Sequence, residues 1–369
     1  MSLRTRLTHY VQVLRQLRAI SVMRPKYPAV TYIALVMETT QNHTERPLLC
    51  LLNVFAAVDK IVYVRARLNR VTYGLASHSP FHKNLRLLWQ MRLRHQQTLL
   101  ITDHLPPKNN FIKIVQLKYD YSPVLKLPDS THIAMPFTMH SHTYFYAPPP
   151  IPLDRYRRSD RKYQVLFAGN STPSYATTAI VEDCKILDRH TIISHLTQHK
   201  LFYALHSDNT QWYPTLADVP LPQDARYVLL VSVRIWQKNW LQTLAASSFA
   251  LCPSGVVFPL SHNLIEAMAV GTIPILNYAD WLFPALQDGI NCIVFKTLAQ
   301  LDEKIEAIAH MSDAQIAEMR QAVIDYYDCY LDPAKFAARL IGTDEKFLTV
   351  HMLDEHAGYV RQLNMQQDT

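Results

Sequence analysis

The chain has 369 residues, 49% of them hydrophobic and 18% charged, which is too long for one ordinary core and points to two domains. No apolar run reaches the roughly 18 residues of a membrane span, and the N-terminus lacks the apolar region of a signal peptide, so a cytoplasmic or peripherally membrane-attached protein is expected. The formal net charge of +7 is unevenly divided: residues 1–150 hold 19 Lys and Arg against 6 Asp and Glu, and residues 151–369 hold 18 against 24. A basic first half favours an acidic acceptor, an anionic membrane surface or nucleic acid as its partner, against the plain alternative of a solvated basic surface. The five cysteines are odd in number, widely spaced and without a C-x-x-C pair, so they read as buried free thiols rather than a zinc site or a disulfide framework.

In chain order, residues 1–24 place Leu3, Leu7, Tyr10, Val11, Leu14 and Leu17 on one helical stripe, with Arg4, Arg6, Arg15 and Arg18 among the rest. Such a basic amphipathic helix can pack on its own domain or lie on anionic lipid. Apolar runs at Ala29 to Met37, Ile61 to Val64, Leu99 to Ile101, Phe111 to Leu117 and Ile133 to Met135 predict strands, with helices around Leu48 to Val58 and Phe81 to Gln97. This is an open α/β sheet of Rossmann type, spanning residues 1–150. The proline-rich segment Ala147 to Leu153 then predicts a stiff linker.

The second domain is expected over 151–340. Its predicted strands are Tyr163 to Ala168, Leu201 to Leu205, Val228 to Val231, Phe249 to Cys252, Ile273 to Leu276 and Cys292 to Phe295, with a long helix from about Ala176 to His199. From Leu298 the pattern is helical, with Ser312 as a cap and Pro333 opening another helix, and a helical tail is expected over 341–369. Two similar α/β halves joined by a linker describe a GT-B architecture, two Rossmann-like domains facing a cleft.

The densest signal runs from Ser247 to Val294: a short apolar strand, a loop with Pro253, Ser254 and Gly255, a helix opening near Ser261 and stopped by Gly271, and a second strand. The runs S-x-F-x-L-C-P-x-G at Ser248 to Gly255, L-x-E-A at Leu264 to Ala267 and G-T-I-P-I at Gly271 to Ile275, with YQVLFAGN at Tyr163 to Asn170 upstream, resemble the nucleotide-sugar domain of GT-B glycosyltransferases. The chain is most similar to the exostosin-like family, over roughly residues 160–340. The resemblance implies a sugar transfer from a nucleotide-sugar, a UDP-sugar foremost, with inversion and with the last helices crossing back to the first domain.

In such a site Glu266 would accept the ribose hydroxyls. Its neighbours Leu264, Ile265, Ala267 and Met268 are apolar, so its carboxylate should be buried and in need of a ligand or partner. Arg234 and Lys238, just after a predicted strand, would meet the diphosphate charge, with Ser254, Gly255, Ser261, His262 and Asn263 lining the same cleft. Many exostosin-like sequences carry a basic residue where His262 or Asn263 stands here. No Asp-any-Asp triplet occurs, which argues against a metal-diphosphate arrangement, and no metal is expected. Retaining GT-B enzymes often carry a Glu eight positions before the ribose Glu, and Phe258 occupies that position here.

An inverting displacement needs a general base from the first domain, at the carboxyl end of a strand. Glu38, Asp103, His104, His140 and His142 meet that test, and histidine suits base catalysis near neutrality because its ordinary pKa is about 6.5. The acceptor is expected to be a glycan or lipid-linked glycan, possible acidic groups on it answering the charge split. A GDP-fucose-type fucosyltransferase is the alternative enzyme, and a non-catalytic glycan- or nucleic-acid-binding protein on the same scaffold is the alternative class. The scattered basic residues, without interleaved stacking aromatics, argue against nucleic acid.

Overall fold

The computed structural model describes residues 32–36, 50–51, 54, 62–65, 85–87, 98–104, 111–118, 131–147, 151–207, 211–256 and 258–352. The chain divides into two compact units, one of residues up to 149 together with 333–354, the other of residues 150–332. The predicted helix over 1–24, Glu38 and part of the proline-rich linker lie outside the described residues. Among the described residues, no helix is long and apolar enough to cross a membrane.

The first unit is built on a seven-stranded sheet. Its strands are β1 (Tyr32–Val36), β2 (Val62–Arg65), β3 (Leu85–Leu87), β4 (Thr98–Thr102), β5 (Lys113–Lys118), β6 (His132–Ala134) and the last strand of the chain, β15 (Phe347–His351). The order is β3-β2-β1-β4-β5-β15-β6, and every pairing is parallel. Leu99, Leu100, Ile101 and Thr102 are all buried in succession, the pattern of a parallel strand covered on both faces. A short helix, α1 (Ser141–Tyr146), follows β6.

The second unit holds α2 (Leu153–Arg157), β7 (Tyr163–Gly169), α3 (Arg189–Leu196), β8 (Phe202–His206), β9 (Trp212–Tyr213), β10 (Tyr227–Val231), β11 (Arg234–Ile235), α4 (Trp240–Ala245) and β12 (Ser247–Leu251). It continues with α5 (His262–Ala269), β13 (Ile273–Leu276), β14 (Ile293–Val294), α6 (Leu298–Ala309) and α7 (Asp313–Tyr326). Its six-stranded parallel sheet has the order β14-β13-β12-β7-β10-β8, and β9 pairs with β11 in a separate two-stranded ladder. Strands β10, β12 and β13 are buried at every residue, so their continuous apolar sequence, rather than alternation, sets their place in the middle of the layer. Each unit is built on a parallel α/β sheet, as the sequence predicts for each half.

Local chemistry fixes several boundaries. Helix α5 ends in a Schellman motif: Gly271 takes a φ of 72°, its N–H donates to Met268 O at 3.0 Å, and the Thr272 N–H donates to Ala267 O at 2.9 Å. Helix α7 opens with the expected cap, Ser312, in a reciprocal capping box with Gln315. Pro333 opens α8 (Pro333–Gly342), which belongs to the first unit and carries the chain back to it. The buried Lys113 ammonium of β5 donates to the carbonyls of Leu340, Ile341 and Thr343, gathering the C-terminal end of α8 onto the sheet.

Three local expectations are corrected. Leu85–Leu87, inside the helix predicted over Phe81 to Gln97, is strand β3, because parallel pairing with Val62 to Val64 outweighs a helical pattern that is also compatible with Leu-x-Leu alternation. The long helix predicted from Ala176 to His199 is a π-helical turn at Ala179–Asp183 followed by α3; Lys185 takes a φ of 53° between them, and Asp188 caps the new helix by accepting from the Thr191 N–H at 2.9 Å. The helical tail predicted from 341 contains strand β15 instead, inserted between β5 and β6 with its β-branched and aromatic residues. A helix does begin on the expected segment Leu48 to Val58, at Cys50, Leu51 and Val54.

Candidate functional site

In the second unit the chain leaves β7, lays β8 and β10 on one side of it, then crosses to place β12, β13 and β14 on the other. This reversal makes β7 and β12 the switch point, where the loops leaving adjacent strands diverge and open a crevice at the carboxyl ends. The segments delivered there are Asn170–Ser171 after β7, Ser232 after β10, Pro253 to Gly255 after β12, the first turn of α5, and Asn277 after β13.

Polar atoms lacking partners gather at these ends. Ser171 Oγ, Ser254 Oγ and Asn277 Oδ1 are buried and find no hydrogen-bond partner among the described residues. They follow three strands that are neighbours in the sheet. Orphaned buried atoms are uncommon, and three of the eight among the described residues follow these neighbouring strands. Ser261 stands at the N-cap of α5 but makes no side-chain cap bond, so the first N–H groups of that helix are not served by it. Backbone strain lies here too, since Ser232 takes a φ of 60° while its N–H donates to Gly169 O at 2.9 Å.

Beside these atoms lies Arg189, the first residue of α3 and only 6% exposed. Its guanidinium donates to Ser254 O at 3.0 Å, Asn170 O at 3.3 Å and Pro253 O at 3.4 Å, and it lies 4.3 Å from the centroid of the Tyr175 ring. No carboxylate comes within ion-pair distance of it among the described residues. Burial drives its pKa below the usual arginine range, with Tyr175, Tyr278 and Cys252 opposing the shift. A buried positive charge that bridges the ends of β7 and β12 without a counter-ion is arranged to receive an anion.

Of the residues predicted from sequence, the structure brings Ser254, Gly255, His262 and Asn263 to this edge. Gly255 is required by close approach: a Cβ there would stand 2.6 Å from Phe258 O and 3.2 Å from Leu260 O. Asn263 Nδ2 donates to Ala168 O at 3.3 Å, joining α5 to the end of β7. His262 is half-buried at the first position of the helix. Glu266 is 1% exposed, and its carboxylate accepts from the Trp240 indole N–H at 2.6 Å, so the protein itself supplies a partner for the buried carboxylate. Phe258 is buried with its ring edge-on to Trp281, centroids 6.0 Å apart.

Arg234 and Lys238 are exposed and lie against aromatic rings, Arg234 5.1 Å from the Trp212 centroid and Lys238 4.5 Å from that of Trp236. They lie in β11 of the β9–β11 ladder and in the turn after it, which follow Ser232.

In the first unit the same reversal occurs between β1 and β4, and Asp103 and His104 follow β4 at that point. The Asp103 side chain is 1% exposed and that of His104 32%. His104 Nδ1 lies 2.8 Å from Thr102 Oγ1 and 3.4 Å from Asp103 Oδ1, an arrangement that orients the imidazole through one nitrogen. His140, half-buried, precedes α1 and its backbone carbonyl accepts from the Thr143 N–H at 2.9 Å, and His142 lies in that helix. Among the described residues no three His, Cys, Asp or Glu side chains gather into a group able to hold a metal.

Sequence reading missed Arg189, Ser171 and Asn277. A signal for Arg189 existed: Asp188 with Thr191 three residues on is an N-cap pattern, and it places Arg189 at a helix start facing the strand ends rather than within a continuous helix.

No protein-family model matches the chain, and no curated protein matches it. Among solved structures, Anabaena HepE in complex with UDP-glucose is similar at 11% identity and a TM-score of 0.38, covering 84% of this chain and 98% of that one. A glycosyltransferase from Rickettsia africae gives 9% identity and a TM-score of 0.44 over 86% and 100% of the two chains. An α-glucosyltransferase in complex with UDP and a 13-mer DNA gives 10% and 0.40 over 85% and 100%.

Proposed function

We propose that the chain is an exostosin-like glycosyltransferase of GT-B type that transfers a sugar from a nucleotide-sugar, a UDP-sugar, to a hydroxyl of a glycan or lipid-linked glycan. The observation that carries this reading is the guanidinium of Arg189, which donates to carbonyls at the ends of β7 and β12 and meets no carboxylate among the described residues. It lies on one edge of the sheet with orphaned polar atoms and a helix start that its own N-cap residue does not serve. A diphosphate supplies both the negative charge and the acceptor oxygens that these groups lack.

In this reading the diphosphate meets Arg189 and the first N–H groups of α5, with Ser254, Gly255, His262 and Asn263 around it. The ribose hydroxyls share the Glu266 carboxylate with Trp240. The sugar is displaced with inversion: Phe258 puts a buried aromatic ring where a retaining enzyme would carry a carboxylate. His104, oriented through Nδ1 by Thr102 and Asp103, takes the acceptor proton, and developing charge on the departing diphosphate is stabilised by Arg189. Transfer needs no metal in this scheme, and the enzyme works in the cytoplasm, with residues 1–24 as the segment that touches a membrane surface.

The test is thermal unfolding of the purified chain with UDP, GDP, CMP, ADP and dTDP, for the wild type and for Glu266→Ala. A ligand at 100 times its Kd stabilises the native state by about 2.7 kcal/mol, so a diphosphate that binds will move the midpoint. UDP is expected to stabilise the wild type most and Glu266→Ala least. Stabilisation by GDP alone would point to the fucosyltransferase alternative, and none at all would remove the donor-site reading.

A further inference from the structure

We infer that Arg161 and Arg320 form a seat for a doubly charged tetrahedral oxyanion, a phosphate group, at the opposite end of the second unit's sheet from the crevice. Arg161 stands two residues before β7, and its terminal nitrogens donate to Val270 O at 2.7 Å, Thr272 Oγ1 at 2.8 Å, Ser247 O at 3.1 Å and Tyr156 O at 3.4 Å. It thereby gathers the amino ends of β7, β12 and β13 around the turn that leaves α5. Arg320, on α7, meets the same turn: a Cβ on Gly271, between two of the residues that Arg161 holds, would stand 3.4 Å from Arg320 Cγ.

Both guanidiniums keep N–H groups that the protein does not serve. Arg161 Nε and Arg320 Nε are two of the eight buried orphan atoms among the described residues. Arg320 makes no hydrogen bond and no ion pair among those residues, and neither arginine has a carboxylate within ion-pair distance there. Burial, and after it the charge of Arg320, pushes the Arg161 guanidinium down to about 9, and burial lowers Arg320 as well. Like charges held together in a half-buried place are destabilising until an anion joins them.

The charge sum selects the ligand. A third guanidinium, that of Arg157, donates to Ala269 O at 3.0 Å, but it is already paired with Asp328 through bonds of 2.6 and 3.1 Å. Asp154 comes only to 4.0 Å of Arg157, from a side chain 75% exposed, where water screens it. Three cations, set against one close carboxylate and the roughly half negative charge at the end of α5, leave about one and a half positive charges over a single turn. A monoanion leaves that sum positive, whereas a dianion closes it. A tetrahedral oxyanion also has lone pairs enough to accept from two guanidiniums at once. Binding here needs nothing of the donor reading, since α5 presents its first turn to the crevice and its last to this seat.

The experiment is a calorimetric titration of the full chain, near pH 8 and at constant ionic strength, with inorganic phosphate, methyl phosphate, sulfate and acetate. Phosphate and sulfate are expected to bind about tenfold or more tightly than acetate. Tighter binding of inorganic phosphate than of methyl phosphate assigns the free ion, and the reverse order assigns an esterified group. Arg161 serves four acceptors, so its replacement would report on folding; Arg320 has no such bonds to lose, and Arg320→Gln should fold as the wild type does. That variant should bind phosphate roughly 10- to 150-fold more weakly while keeping whatever stabilisation by UDP the wild type shows. Arg189→Met, altered at the crevice instead, should keep the wild-type phosphate affinity. Acetate binding as tightly as phosphate, wild-type affinity in Arg320→Gln, or loss of phosphate binding in Arg189→Met would overturn the inference.

Discussion

Replacing Arg189 by Met separates a binding role from a structural one. In the ligand-free protein the guanidinium serves three carbonyls, at 3.0, 3.3 and 3.4 Å, of which only the first is a short hydrogen bond. Losing them costs about 1.5–3 kcal/mol for a good charge-assisted bond and less for long ones. Against that stands the desolvation of a buried cation without a counter-ion, of several kcal/mol, which methionine removes while filling a similar volume. The two effects nearly cancel, so ligand-free stability in urea should change by no more than about 1 kcal/mol, in either direction. Binding should behave differently, since a charge-assisted contact contributes about 1.5–3 kcal/mol, or roughly 10- to 150-fold in Kd. At a UDP concentration that stabilises the wild type by about 2.7 kcal/mol, a variant weakened 30-fold would gain under about 1 kcal/mol. Paired urea titrations with and without UDP measure both quantities. A loss of more than about 3 kcal/mol in the ligand-free protein, with the UDP increment intact, would show Arg189 to be a structural pin and refute the reasoning.

Three further outcomes are expected. Gly255→Ala must push back the Phe258 carbonyl from 2.6 Å, so it should lower stability by about 1–3 kcal/mol and abolish nucleotide binding, read by the same titrations. Lys113→Met strips the donors from three carbonyls at the end of α8 and should cost about 2–4 kcal/mol, with limited proteolysis beginning near β15; an unchanged cleavage pattern would contradict that link. Burial pushes the thiols of Cys184, Cys252 and Cys292 each up to about 12, whereas Cys329 is exposed. The folded state therefore holds protons that the unfolded chain releases above its ordinary thiol pKa of about 8.5. Their stabilisation is complete below that pH and declines as pH rises toward about 12, with a limiting slope of about 1.4 kcal/mol per pH unit for each thiol. Iodoacetamide at pH 8 should label Cys329 in the native protein and leave these three unlabelled.

The sequence by itself determined what depends on short-range pattern. Continuous apolar runs located β7, β10, β12 and β13, because a strand covered on both faces has no polar alternation to obscure it. Ser312 and Gly271 marked helix ends, since a cap and a left-handed turn are properties of a few consecutive residues. That Ser254, Gly255, His262 and Asn263 lie between β12 and the first turn of α5 was legible for the same reason. Tertiary structure decided the rest. Whether Phe347–His351 continues a helix or enters a sheet depends on a gap between β5 and β6, more than 200 residues away in the chain. Leu85–Leu87 became a strand only through its partner β2. The charge of Arg189 is unremarkable in the sequence; it acquires meaning when folding surrounds it with the carbonyls of Asn170, Pro253 and Ser254 and, among the described residues, brings no carboxylate near. Periodicity and capping are local and can be read along the chain, but a desolvated charge and a strand's neighbours are set by which distant segments meet.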